Sequence, residues 1–199
     1  MRLISRAGSL SAILFIGSVM LSAQSADLFV NFGQSILSNA GLGSASATGA
    51  KDDYKLDDGF RFGFRFGFNG DGHFGHEIGY AYNRTHLLLQ GVDQGGMAIH
   101  QGGYNFLLYA NRDTARVRPF ATGGGHFSNF VPPGSSATQG GGSTKFGVNY
   151  GGGVKFKITP KWALRADIRQ YQTPKPFDLF QKTGWLRQTE ISGGFGIHF

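Results

Sequence analysis

The chain has 199 residues, among them 33 glycines and 19 phenylalanines, with no cysteine and only 16% charged residues. Without cysteine there is no disulfide and no lipidated cysteine after a leader, and so much Gly and Phe with so little charge is not the make-up of an ordinary soluble domain. The formal net charge of +7 is scattered over separate segments, which excludes the basic stripe of a nucleic-acid binder.

The N-terminus reads as an export leader. Arg2 and Arg6 precede an apolar stretch at residues 10–21, followed by the small residues Ala23-Gln24-Ser25-Ala26. This three-part pattern is that of a secretory signal peptide over residues 1–25, cleaved after Ser25 or, less favourably, after Ala26. The apolar run falls short of the roughly 20 residues of a spanning helix. Residues 26–199 then form a single exported domain.

Alternating segments recur along that domain with turn signals between them. The first carries Leu28, Val30 and Phe32 on one face. After a polar stretch at 33–55, the run FRFGFRFGF puts Phe60, Phe62, Phe64, Phe66 and Phe68 on one face and Arg61, Gly63, Arg65 and Gly67 on the other. Its length suits the 9–11 residues of a tilted strand crossing a bilayer. The third segment puts Phe74, His76, Ile78, Tyr80 and Tyr82 outward, and the fourth Tyr104, Phe106 and Leu108. The fifth, at 117–127, is phased with Arg118, Thr122, Gly124 and His126 inward. The sixth to eighth turn Phe146, Val148 and Tyr150, then Trp162, Leu164 and Ile168, then Ile191, Phe195, Ile197 and Phe199 outward.

Eight strands with connections alternately long and short predict an all-β fold: an eight-stranded antiparallel up-and-down transmembrane β-barrel with a polar, side-chain-filled lumen. The aromatic faces meet lipid and the Arg and Gly faces line the interior. That interior collects Arg61, Arg65, Glu77, Lys155, Arg165, Asp167, Arg169 and Glu190 as an expected ion network, with cations in excess. A tight turn at 70–72 predicts Arg65 opposite Glu77, Phe64 opposite Ile78 and Phe62 opposite Tyr80. The longer connections, around 34–54, 85–97, 128–144 and 171–184, are the expected outer loops.

The last segment, EISGGFGIHF, resembles the C-terminal assembly signal of Gram-negative outer-membrane barrels, through Ile191, Phe195, Ile197 and Phe199. The stretches VRPFATGGGHF and FGVNYGGGVKFKITPKWALRADIRQY resemble the fifth to seventh strands of the small OmpA/OmpX-like outer-membrane β-barrel family. The resemblance implies an integral, porin-like cell-envelope protein that periplasmic chaperones deliver and the barrel assembly machinery inserts. It also implies a structural, adhesive or surface-binding role through outer loops of unspecified ligand. Outer-membrane lipid is the expected partner for the surplus Lys and Arg at the barrel rims, and nucleic acid is not a partner.

Two other functions are expected alternatives. Arg61, Arg65, Arg165 and Arg169 could line a narrow anion-favouring channel. The element His126-Phe127-Ser128-Asn129 resembles the His-x-Ser-Asn element of lipid A 3-O-deacylases, with His126 as base and Ser128 as nucleophile. Here, though, about 70 residues follow it and both side chains are phased inward, away from lipid, so the expected protein is not an enzyme. No cofactor is expected. Nor is a metal: His73 and His76 fall on opposite faces of one strand, and Asp52, Asp53, Asp57 and Asp58 read as a solvated loop cluster.

Overall fold

The computed structural model describes residues 25–37, 40–70 and 72–199; apart from Ser25, the expected signal peptide lies outside the described residues. In chain order the strands are β1 (Ser25–Ile36), β2 (Ala40–Gly43), β3 (Tyr54–Leu56), β4 (Gly59–Asn69), β5 (Phe74–Leu89), β6 (Val92–Tyr109), β7 (Val117–Val131), β8 (Ser143–Lys157), β9 (Trp162–Pro174) and β10 (Trp185–His198). Eight of them form the wall. β1 pairs with β4, the pairing runs on antiparallel through β5 to β10, and β10 pairs back onto β1. The seam ends on a two-bond rung in which Phe199 N–H donates to Ala26 at 2.8 Å and Ala26 N–H to Phe199 at 3.2 Å. Closure of this kind removes the exposed strand edges that an open sheet would have to protect.

The polarity is inverted from that of a soluble protein. Phe106, Ile168 and Phe195 are 60%, 55% and 48% exposed, while Glu190 and Arg169 are 0% and 1% exposed. Exposed large apolar side chains occur on all eight wall strands. Strands that alternate apolar outward and polar inward around a closed ring have one stable solvent arrangement: hydrocarbon outside, polar groups inside. No helix among the described residues is long and apolar enough to cross a membrane; the crossing elements here are strands.

The fifth wall strand, β7, has the predicted phase, with Arg118, Thr122, His126 and Ser128 buried. The second hairpin does not have the predicted register. Arg65 pairs with Gly79, Glu77 with Gly67, Phe64 with Tyr80 and Phe62 with Tyr82. The shift is two residues, so every side chain keeps its face. Asn69 explains it. Instead of opening the turn, Asn69 is buried in the lumen, donating to Asp27 at 2.8 Å and accepting from the Tyr109 hydroxyl at 2.7 Å. The turn therefore closes later, with Gly70 N–H donating to Phe74 at 3.1 Å.

The loop end also departs from expectation. Strands β5 and β6 continue through the supposed loop at 85–97 and meet in a two-residue turn at Gln90 and Gly91, with φ of 51° and 85°. Paired left-handed residues of this sort match the twist of a hairpin. Strands β7, β8 and β9 likewise run further into the expected loops. In the first loop, β2 and β3 form a small ladder that joins the upper part of β5.

Inward glycines set the bore. A Cβ on Gly151 would lie 2.2 Å from the Ile168 carbonyl oxygen and 2.7 Å from the Arg169 Cα. Gly151→Val is expected to lower stability by about 1–3 kcal/mol through overpacking, read as an earlier midpoint in a urea titration of the folded gel band.

Candidate functional site

The lumen is filled in layers from the loop end down to the end where β1 begins and β10 finishes. The outermost layer is apolar. Leu37, Leu42, Leu56, Met97, Ile99, Phe130 and Leu186 form one buried cluster, with Tyr54, Leu87, Phe177 and Leu179 packed against it. Long strands supply Met97, Ile99, Phe130 and Leu186; the β1–β4 connection folds inward to supply Leu42 and Leu56. This apolar cap was not expected from the sequence, although Met97, Ile99 and Phe130 sit on the inward parity of their strands.

Beneath it lies a layer of neutral hydrogen bonds. Ser35 Oγ donates to Asn83 at 2.6 Å, and Gln188 donates to Ser35 at 2.8 Å. Gln101 Nε2 donates to Gln188 at 2.8 Å and to Ser128 Oγ at 2.9 Å. Ser128 thus belongs to a buried amide network.

The third layer is ionic and holds four guanidinium groups and three carboxylates. Asp167 meets Arg165 at 2.6 Å, Arg169 at 3.0 Å and Arg65 at 3.3 Å. Glu77 meets Arg165 at 2.5 Å, Arg169 at 2.9 Å and Arg65 at 3.5 Å. Glu190 pairs with Arg65 and, at 3.1 Å, with Arg61, and accepts from Tyr171 at 2.8 Å and Ser192 at 2.5 Å. Arg61 also donates to Asn83 at 3.1 Å and Tyr171 at 3.0 Å. Planar guanidinium forks can serve two carboxylates at once, which a point-charge ammonium does less well.

Seven of the eight residues expected in the lumen network are brought together in this layer. Lys155 is not. It lies one layer lower, where it pairs with Asp27 and donates to the Tyr109 hydroxyl at 2.6 Å. The same lower layer holds His198, 2.6 Å from Asp27, and Arg118, 2.6 Å from Asp113 and 3.7 Å above the Tyr109 ring. Asp113 sits in the turn between β6 and β7. Burial would raise its carboxyl, but His198, Arg118 and Lys157 hold it well below the usual carboxylate range. Asp27 and Asp113 supply counter-charge that the sequence reading did not count. Asp27 was open to detection, since it shares the inward parity of Phe29 and Asn31; Asp113 lies in a turn, where period-two reasoning has no hold.

A polar chamber of about 30 Å³ adjoins the ionic layer, lined by Asn31, Asn105, His126, Asn149, Arg169 and Tyr171 among others. That volume is enough for about two water molecules, and the mixed amide donors and acceptors suit water. His126 faces this chamber and its Nε2 is bonded to Thr173 Oγ1 at 2.9 Å. His126 and Ser128 therefore sit side by side on one strand face with different partners, both sealed inside the wall. No group of three or more potential metal ligands occurs among the described residues.

Of the four residues of the expected assembly signal, Ile191, Phe195 and Ile197 lie on the outer face of β10 and Phe199 directly follows the strand. Ile191, Phe195 and Phe199 are exposed and Ile197 is half-buried. Trp162 of β9 stacks on Phe195 with ring centroids 4.9 Å apart.

The sequence matches the family described as outer membrane protein beta-barrel domain over residues 11–199. The chain belongs to that family. Comparison with curated proteins found no match. Among solved structures, the fold is shared with the outer membrane protein OprG from Pseudomonas aeruginosa, at 12% identity and a TM-score of 0.64, covering 89% of this chain and 97% of that one. It is shared too with Neisserial surface protein A, at 17% identity and a TM-score of 0.56, over 88% and 96% of the two chains. The N-terminal beta-barrel domain of Pseudomonas aeruginosa OprF gives 14% identity and a TM-score of 0.51, over 89% and 99%. These likenesses show the small outer-membrane barrel fold, of the OmpA/OmpX-like kind that the fifth to seventh wall strands resemble.

Proposed function

We propose that this family member is a non-enzymatic barrel with a closed lumen, acting at the cell surface through its loop end in an envelope-structural or surface-binding role. The observation that carries the reading is the stacking of two unlike seals, an apolar cap above a paired ionic layer, across a bore only as wide as its own side chains. An ion crossing would have to leave water at the cap and break buried pairs beneath it, and both steps are costly. Planar-bilayer recording with the purified protein should show no steady conductance; a stable anion-selective current would overturn this in favour of the channel reading.

Export fits the same picture. The chain would lose residues 1–25, pass periplasmic chaperones and be inserted by the barrel assembly machinery using the outer face of β10. Barrels of this type keep short turns in the periplasm and longer loops outside, which puts the apolar cap on the cell surface. The partition of His126 and Ser128 into separate hydrogen-bond networks, away from lipid, supports the non-enzymatic reading.

A further inference from the structure

Inside the barrel, cations are matched by carboxylates or shared acceptors. On the outer wall of the loop end three cations are not. Lys51, Asp52, Lys55, Lys175, Trp185 and Arg187 surround a concavity of about 480 Å³. Lys55 pairs with Asp52 at 2.9 Å; Lys51, Lys175 and Arg187 make no ion pair among the described residues. Lys175 is half-buried, and burial together with the nearby charge of Lys51 pushes its ammonium below the usual lysine range. The cations have been brought close to one another without a counter-charge of their own.

The site is built before any ligand arrives. Ser44 and Phe180 exchange backbone hydrogen bonds of 2.7 and 2.9 Å, tying the first loop to the last. Gln181 adds a bond of 2.7 Å to the Ala47 carbonyl. Gly43, at φ 138°, permits the approach, since a Cβ there would lie 2.7 Å from the Phe180 carbonyl oxygen. Preorganised charges lose little freedom when they bind.

Its position selects the ligand. Leu186 and Gln188 point into the lumen and are each 2% exposed, so the alternate residues Trp185 and Arg187 project from the outside of the wall. Ile191, on the same outer face, is 51% exposed to the surroundings that lipid fills. At roughly 3.3 Å per residue, Arg187 lies about 13 Å along the strand from Ile191 toward the loop end. The concavity therefore opens sideways at headgroup depth, marked by an interfacial tryptophan.

We propose that this concavity holds the phosphate of an outer-leaflet lipid headgroup, with Lys51, Lys175 and Arg187 as its partners and Trp185 against the adjoining lipid. The inference rests on the outer-surface reading above. Lys55 is already engaged by Asp52 and serves to hold that carboxylate away from the phosphate.

Native mass spectrometry of the detergent-purified protein, titrated with a bisphosphorylated glucosamine-disaccharide lipid, tests it. Wild type should retain one lipid. The double variant Lys175→Gln/Arg187→Gln should bind roughly thirtyfold more weakly, each cation at an anionic surface contributing about fivefold. The variant Arg112→Gln/Lys161→Gln, which removes the same charge at the turn end, should bind like wild type. Equal binding of the dephosphorylated lipid, or undiminished binding by the first variant, would overturn the proposal. Displacement of the lipid by equimolar inorganic pyrophosphate would also do so, by showing that free phosphate is the ligand. Bilayer recording on the same samples separates the two readings: a silent wild type with no lipid retention removes only this site, whereas conductance removes the closed-lumen reading.

Discussion

Arg65→Glu is expected to prevent the barrel from persisting as a folded species in a boiled-versus-unboiled gel assay. Arg65 is the one guanidinium that reaches all three central carboxylates, Asp167 at 3.3 Å, Glu77 at 3.5 Å and Glu190. Substitution removes these pairings and places a fourth carboxylate in their midst. Breaking a buried ion pair costs about 3–5 kcal/mol, and the added repulsion makes the loss larger. The companion change Glu190→Arg, made together with Arg65→Glu, restores opposite charge across that pair. It should recover a measurable part of the urea stability, because residues sharing one network couple in a double-mutant cycle. A single Arg65→Glu variant with wild-type mobility and urea midpoint would show that the ionic layer does not hold the wall together.

The apolar cap should prove nearly as important to stability while having no effect on permeation. Phe130 is fully buried among Leu42, Leu56, Met97, Ile99 and Leu186. Truncating such a residue to alanine costs about 3–5 kcal/mol, part of it from the cavity left behind. Phe130→Ala should lower the urea midpoint and speed protease cutting at residues 45–53, since β2 and β3 are held down through Leu42 and Leu56. It should leave the bilayer silent, because the guanidinium–carboxylate layer still closes the bore. Steady current from Phe130→Ala would assign the whole seal to the cap.

How far the sequence carried the structure depends on the range of the interaction concerned. Which face each residue takes is a local matter of strand period, and the alternation through Phe60, Phe62, Phe64 and Phe66 gave it directly. The fold class followed, since eight such segments with an inverted polarity close into a ring around polar side chains. The hairpin register was missed by two residues because Asn69 is drawn into the strand by Asp27 and Tyr109, partners 42 and 40 positions away. The ladder of β2 and β3 was missed for a similar reason: its glycine-rich sequence has little strand preference of its own, and the cap and the Ser44–Phe180 rung hold it in place.

Side-chain alternation and an aromatic C-terminal strand are encoded in neighbouring residues, so the sequence by itself determined a lipid-facing barrel with charges inside. Tertiary structure alone decided how those charges are divided into layers, that Lys155 answers to Asp27 and not to Glu77, and that Lys51, Lys175 and Arg187 converge on the outer wall. The physical reason is that Coulomb and packing partners across a closed ring are remote in sequence: Arg65 and Asp167 are 102 positions apart, and Asp27 and His198 are 171 apart. Only closure brings them within a few ångströms.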